Sequence, residues 1–221
     1  MQTAVADSQR MSPEAGSGSG SGYGTAEQPG VDVRLVGAAA TGDEQAFAAL
    51  MRQWRVPLFR FLLRLTGGQE EAHELVQRSF IKMHQRLSTL GDAARFRPWL
   101  YQIALNQFRD WYRSRKREQL QREALAGEAQ PASDLPHRDA PPLAELEEQD
   151  RNRLLQQAIG RLSPEQREVL VLKTWQGLSF PEIAQALGIP ENTAKSRLYS
   201  SYRALAAIFD DMNLTFNDLW P

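Results

Sequence analysis

The chain has 221 residues, 26 Lys and Arg against 27 Asp and Glu, a formal net charge of −1 and no cysteine. The missing thiols exclude disulfides, thiolate metal sites and cysteine catalysis. No run approaches the roughly 18 apolar residues of a membrane helix, and no apolar stretch follows a basic N-terminus, so neither a membrane span nor a secretory signal is expected.

Residues 1–30 are rich in Gly and Ser, with an unbroken Gly/Ser run at 16–22. They are expected to be disordered, because they cannot bury enough apolar surface to offset the entropy of ordering. Periodicity starts near Val31. A helix over about 43–65 aligns Phe47, Leu50, Trp54, Leu58, Phe61 and Leu65 on one stripe. Pro57 predicts a kink or break in it, and Gly67-Gly68 its end. A second helix over about 70–87 buries Val76, Phe80, Met83 and Leu87 and leaves Glu74, Gln77, Arg78, Ile81 and Lys82 outward. After a loop at 88–96, a third helix over about 98–117 has a core stripe of Leu100, Ile103, Ala104, Phe108 and Trp111. Its other side carries Gln102, Asn106, Arg109 and Arg113.

Residues 118–142 contain four prolines among acids and small residues and read as an extended linker, with any helix confined to its start. A helix over 143–161 follows. Ser163-Pro164-Glu165-Gln166 is a helix start, with Ser at the N-cap, Pro first and Gln third. Ser179 and Glu182 repeat the device, and Gly177 and Gly188 mark helix ends. The fold class is all-α: two small helical domains, 31–117 and 143–209, joined by the linker, with a tail at 210–221.

The charge is segregated. Residues 109–117 carry a net +4, residues 123–150 a net −7, and residues 151–209 a net +4. Fields act over about 10 Å at physiological salt, so two basic surfaces flank an acidic connector. The more specific surface is the later one. Phe180, Ile183, Ala184 and Leu187, then Gly188, then Ile189, Ala194 and Leu198 have the spacing of a helix–turn–helix. Its second helix leaves Asn192, Thr193, Lys195, Ser196, Arg197, Tyr199, Ser200 and Arg203 for DNA, cations for phosphate and polar groups for base edges. In the earlier surface, Trp99, Trp111 and Tyr112 can stack on unpaired bases. The three histidines, His73, His84 and His137, lack ligand spacing, and no P-loop, GxGxxG, GxSxG or HExxH occurs. Neither a cofactor, a metal nor an enzymatic activity is expected.

Three strings in the first domain, DEQAFAALMRQW from residue 43, AHELVQRSFIKMH from 72 and RFRPWLYQIALNQFRDWYRSRKR from 95, resemble region 2 of an extracytoplasmic-function sigma factor of the bacterial sigma-70 family. LSPEQREVLVLKTWQGLSFPEIAQALGIPENTAKSRLYSSYRAL, from Leu162, resembles region 4. The resemblance implies docking on core RNA polymerase, on the coiled coil of its largest subunit and on the subunit that contacts region 4. It further implies promoter DNA and an anti-sigma factor as partners, cytoplasmic action and no membrane insertion. By match to the family, Glu74, Leu75, Gln77, Arg78, Phe80 and Ile81 dock polymerase. Arg95, Phe96, Trp99, Gln102, Asn106, Arg109 and Arg113 read and melt the −10 element, and the second helix of the motif reads the −35 element. His73 and Arg78 depart from the usual acidic pattern, Ala194 from Val, and Ser200 from a frequent Arg. Rival readings are a free-standing helix–turn–helix regulator and an adaptor that holds polymerase or an anti-sigma factor without reading promoters.

Overall fold

Several helices of the computed structural model, which describes residues 29–126 and 148–214, start or stop on a local signal. Asp32 opens α1 (Val33–Ala40) by accepting from the amides of Arg34 and Leu35. Asp43 opens α2 (Glu44–Thr66) in the same way, and Gly67, at φ 78°, closes it. A non-glycine residue would be strained in that left-handed cap. α3 (Gln69–Arg86) ends in two 3₁₀ turns, Leu87–Thr89 and Ala93–Arg95, which lead into α4 (Phe96–Ala126). Then come α5 (Glu148–Arg161), α6 (Pro164–Thr174), α7 (Phe180–Leu187) and α8 (Glu191–Asp211). Ser163 with Gln166 and Ser179 with Glu182 form reciprocal capping boxes, as their spacing predicts.

Three points are sharpened by the structure: the break allowed for at Pro57 is absent, the helix allowed for at the start of the linker is present, and a first short helix stands apart. α2 runs unbroken through Pro57. The lost amide costs about 3 kcal/mol, but Trp54, Leu58, Phe61 and Leu62 around it are at most 1% exposed, and their burial holds the helix. α4 continues nine residues past Arg117, so the start of the expected extended linker is helical. Gln, Glu, Arg and Leu there are good helix formers, and Ser114–Glu118, Gln119–Glu123 and Arg122–Glu118 link successive turns. The short α1, which periodicity alone did not separate from the chain before α2, packs on α2. Residues 1–28 of the segment expected to be disordered, residues 127–147 and residues 215–221 lie outside the described residues.

α1–α4 form one helical group and α5–α8 a second. Their buried side chains make one continuous core, because α4 lies against α7, and α2 against α5 and α6. The sequence reading held these groups apart on a tether, whereas in the structure they are packed together.

Candidate nucleic-acid interface

The helix–turn–helix is built by burial on one side and exposure on the other. Ile183, Ala186 and Leu187 of α7 face Ala194, Leu198 and Ser201 of α8, all buried. Of the two small residues of α7, Ala186 is buried and Ala184 half-buried. Gly188 turns the chain at φ 68°. Asn192, Ser196, Tyr199, Ser200 and Arg203 are left exposed, and Thr193, Lys195 and Arg197 partly so. Tyr199 is 63% exposed, unusual for so large a ring. Lys195 is pre-set by Glu191 at 2.7 Å and by the Phe180 ring at 5.4 Å. Two of the hydroxyls are already engaged. Ser200 accepts from the Gln166 side chain of α6 at 3.0 Å, and Ser196 donates to the Thr193 carbonyl at 3.0 Å.

On α4, Asn106, Arg109 and Arg113 meet Lys82 and Arg86 of α3 around a hollow of about 340 Å³. The structure therefore gathers three of the four polar positions, while half-buried Gln102 does not line this hollow. Arg95 is exposed beside Asp92. Trp99 is half-buried against the core. Phe96 requires correction as a DNA contact: it is 0% exposed, its ring edge-on to Trp54 at 5.6 Å. Its position at the helix start carried it into the candidate set, but the aromatic core claims it.

The expected docking face of α3 divides in the same way. Glu74, Gln77, Arg78 and Ile81 are exposed, while Leu75 and Phe80 belong to the core, Leu75 fully buried and Phe80 with only an edge at the surface. Arg78 and Glu74 neutralise each other at 2.5 Å. Beside them runs an apolar groove of about 1200 Å³ between α2 and α3, walled by Met51, Val56, Phe59, Val76 and Ile81. Met51, Val56 and Phe59 on its α2 wall lie off the buried stripe of that helix, so the periodicity does not announce the groove. His73 lies tilted over Phe59 at 4.3 Å, and His84 meets Phe47 edge-on at 4.8 Å. Among the described residues no cluster of His, Asp and Glu suits a metal, and no helix is long and apolar enough to cross a membrane.

Between the two helical groups lies a set of polar contacts that sequence reasoning did not find. Glu168 of α6, 1% exposed, accepts from Arg109 through both oxygens, at 2.8 and 2.6 Å. These bonds push the Arg109 guanidinium above its ordinary pKa against the opposing effect of burial. Arg167 donates to the carbonyls of Leu65, Gly160 and Leu162. Burial lowers its pKa. Gln156 donates to the carbonyls of Leu63 and Arg64 at the same end of α2. Tyr101 donates to the Gln176 side chain at 2.7 Å, and Arg97 to the Gln176 carbonyl. Burial raises the Tyr101 pKa, with Arg97 pulling the other way, so the phenol stays a donor. Residues 167–172 of α6 are buried without a break, which draws Arg167 and Glu168 into the interior.

A basic cleft of about 1260 Å³ separates the distal part of α4, with Arg113, Lys116 and Arg117, from Arg197 of α8. It brings the two cationic surfaces to opposite walls of one opening.

Comparison with known proteins agrees with this architecture. The family model "Sigma-70 region 2" matches residues 50–118, and "Sigma-70, region 4" matches residues 152–205. The chain is 34% identical over 187 residues to the ECF RNA polymerase sigma factor SigL of Mycobacterium tuberculosis, covering 82% of this chain and 98% of SigL. It is 30% identical over 180 residues to the ECF RNA polymerase sigma factor BldN of Streptomyces coelicolor, covering 81% of this chain and 66% of BldN. Among solved structures, CnrH in complex with the cytosolic domain of CnrY superposes with a TM-score of 0.59 at 26% identity, over 82% of this chain and 98% of that one. The sigma factor RpoE, solved with the anti-sigma factor NepR from Bartonella quintana, shares the fold at a TM-score of 0.56 and 23% identity, over 74% of this chain and 96% of that one.

Proposed function

This chain belongs to the extracytoplasmic-function sigma factors of the sigma-70 family, alternative sigma factors that direct RNA polymerase to promoters, and from that premise we propose which of its residues carry each step. It acts in the cytoplasm. The exposed side of α3, with Glu74, Gln77, Arg78 and Ile81, and the groove beside it dock on the coiled coil of the largest polymerase subunit. The face of α8 bearing Lys195, Arg197, Tyr199 and Arg203 enters the major groove at the −35 element. Asn106 and Arg113, with Trp99 at the helix start, act at the −10 element, where a base captured outside the stack offsets unstacking of a few kcal/mol.

The nucleotidyl chemistry is the polymerase's; this chain supplies binding energy and base selection. A helical anti-sigma partner covers the same docking face and so competes with polymerase.

The observation that carries the reading is the recognition helix: a doubly capped α7, a left-handed Gly188 and a cationic outer face on α8 with a 63% exposed Tyr199. Run-off transcription with purified core polymerase on promoter fragments tests it. Added chain should yield specific transcripts that core enzyme alone does not make. Tight binding of the free chain to a palindromic duplex, with no transcript, would replace this reading with a free-standing regulator.

A further inference from the structure

The contacts between the helical groups have a particular chemistry. The two ends of α2 and α5 present carbonyls that no residue further along the helix can satisfy. Gln156 and Arg167 of the second group satisfy those of α2, at Arg64 and Leu65, at 2.9 and 2.7 Å. Glu168 is nearly inaccessible, and a carboxylate in that position is tolerable only while Arg109 covers it. The Arg109–Glu168 pair is two-pronged, the geometry with which a guanidinium also grips a phosphate.

We propose that this interface is an autoinhibitory latch in which Glu168 takes the place of a nucleic-acid phosphate on Arg109, so that α4 engages DNA fully only after the second helical group swings away.

Three features support a contact made to open. Its polar partners are ionic groups, amide and phenol side chains and backbone carbonyls, all of which water can serve once they are released, so the cost of opening falls on the apolar packing between the groups. A buried ion pair recovers in solvation much of what it loses in attraction, so its breakage is nearly balanced. The blocking is also partial: Asn106 and Arg113 stay exposed in the closed chain, while Arg109 is 32% exposed and Glu168 2%. The recognition helix α8 keeps its outer face in solvent, so the latch acts on α4 and leaves the −35 surface free. Closure itself is independent of any function; its inhibitory meaning rests on the proposed −10 role of α4.

The absence of cysteine makes the test direct. Dyes on Ser88→Cys and Ala206→Cys, exposed sites in the two groups, report their separation by energy transfer in the full chain. Transfer should be high in the parent, fall in Glu168→Arg, and return in the double swap Arg109→Glu/Glu168→Arg. Glu168→Gln, which keeps the shape, should bind a mixed-sequence single-stranded DNA about fivefold or more tighter than the parent. Its salt dependence should steepen by about one released counterion. Circular dichroism of each variant separates opening from unfolding. Unchanged transfer in a folded Glu168→Arg, or no recovery in the double swap, overturns the latch. Opening without any gain in DNA binding by Glu168→Gln overturns the inhibitory role. Transfer that responds as expected in a chain inactive in run-off transcription leaves closure standing and removes the sigma-factor assignments of α4 instead.

Discussion

Replacing Arg167 should unfold the chain at a markedly lower denaturant concentration, because one guanidinium closes two helix ends. Leu65 lies in the last turn of α2, Gly160 in the last turn of α5, and Leu162 just beyond it. Arg167 reaches their carbonyls at 2.7, 2.5 and 3.2 Å from a side chain that is 7% exposed. Each bond to the charged group contributes a net of roughly 1.5–3 kcal/mol, and three on one guanidinium are not additive, because they share one cation whose burial also lowers its pKa. A net loss of about 2–4 kcal/mol is therefore expected for Arg167→Met, which keeps the stem and removes the donors. For a chain of this size that corresponds to a fall in Tm of about 5–12 °C. Arg167→Lys should recover less than half, since a point ammonium cannot fork between the two helices. Urea unfolding followed by circular dichroism measures both. If Arg167→Met unfolds within about 0.5 kcal/mol of the parent, the typical surface-substitution range, the double-cap argument is wrong.

Further outcomes are expected elsewhere. Lys195→Ala and Arg197→Ala should each weaken promoter binding by the holoenzyme, by about 1–3 kcal/mol where the side chain reads a base and less where it touches phosphate; wild-type transcription in both would remove α8 from the −35 contact. Asn106→Ala should slow open-complex formation on duplex promoters and be rescued by a pre-melted bubble, as read by permanganate footprinting; failure of the bubble to rescue argues against melting. Gly188→Ala should destabilise the second helical group by about 1–2 kcal/mol, because nothing crowds a Cβ there but φ is +68°. Gly188→Asn, which tolerates that conformation, should cost less, and equal losses in thermal melts would point to packing instead of backbone strain.

What could be read in the sequence is what is decided within a few residues. Ser163-Pro164-Glu165-Gln166 specifies its capping box wherever it lies, and Asp43 and Gly67 bound α2 in the same local way. The exposed face of α8 follows from period alone, since Ala194, Leu198 and Ser201 take the buried side. The −10 and docking sets were less legible, because Phe96 and Leu75 stand next to exposed neighbours and only the three-dimensional core separates them, whereas Phe80 already falls on the buried stripe of its helix. The partners of Arg109, Tyr101 and Arg167 lie 59, 75 and 102 residues away in sequence. No period or cap announces such pairs. Helix at the start of the linker was allowed for, but its reach to Ala126 was not legible, since the prolines that oppose a helix begin only at Pro131.

That length makes the end of α4 a boom. Its 31 residues extend about 46 Å, and the nine beyond Arg117 carry the departing chain about 14 Å farther along a fixed line. The 21 residues from there to Glu148 can bridge at most about 70–75 Å. An insertion in a flexible cord changes reach smoothly. One residue added within 118–126 instead turns the point of departure by about 100° while advancing it only about 1.5 Å. Tolerance of promoter spacing should then vary with helical phase: a single added residue disturbs it more than a full turn does.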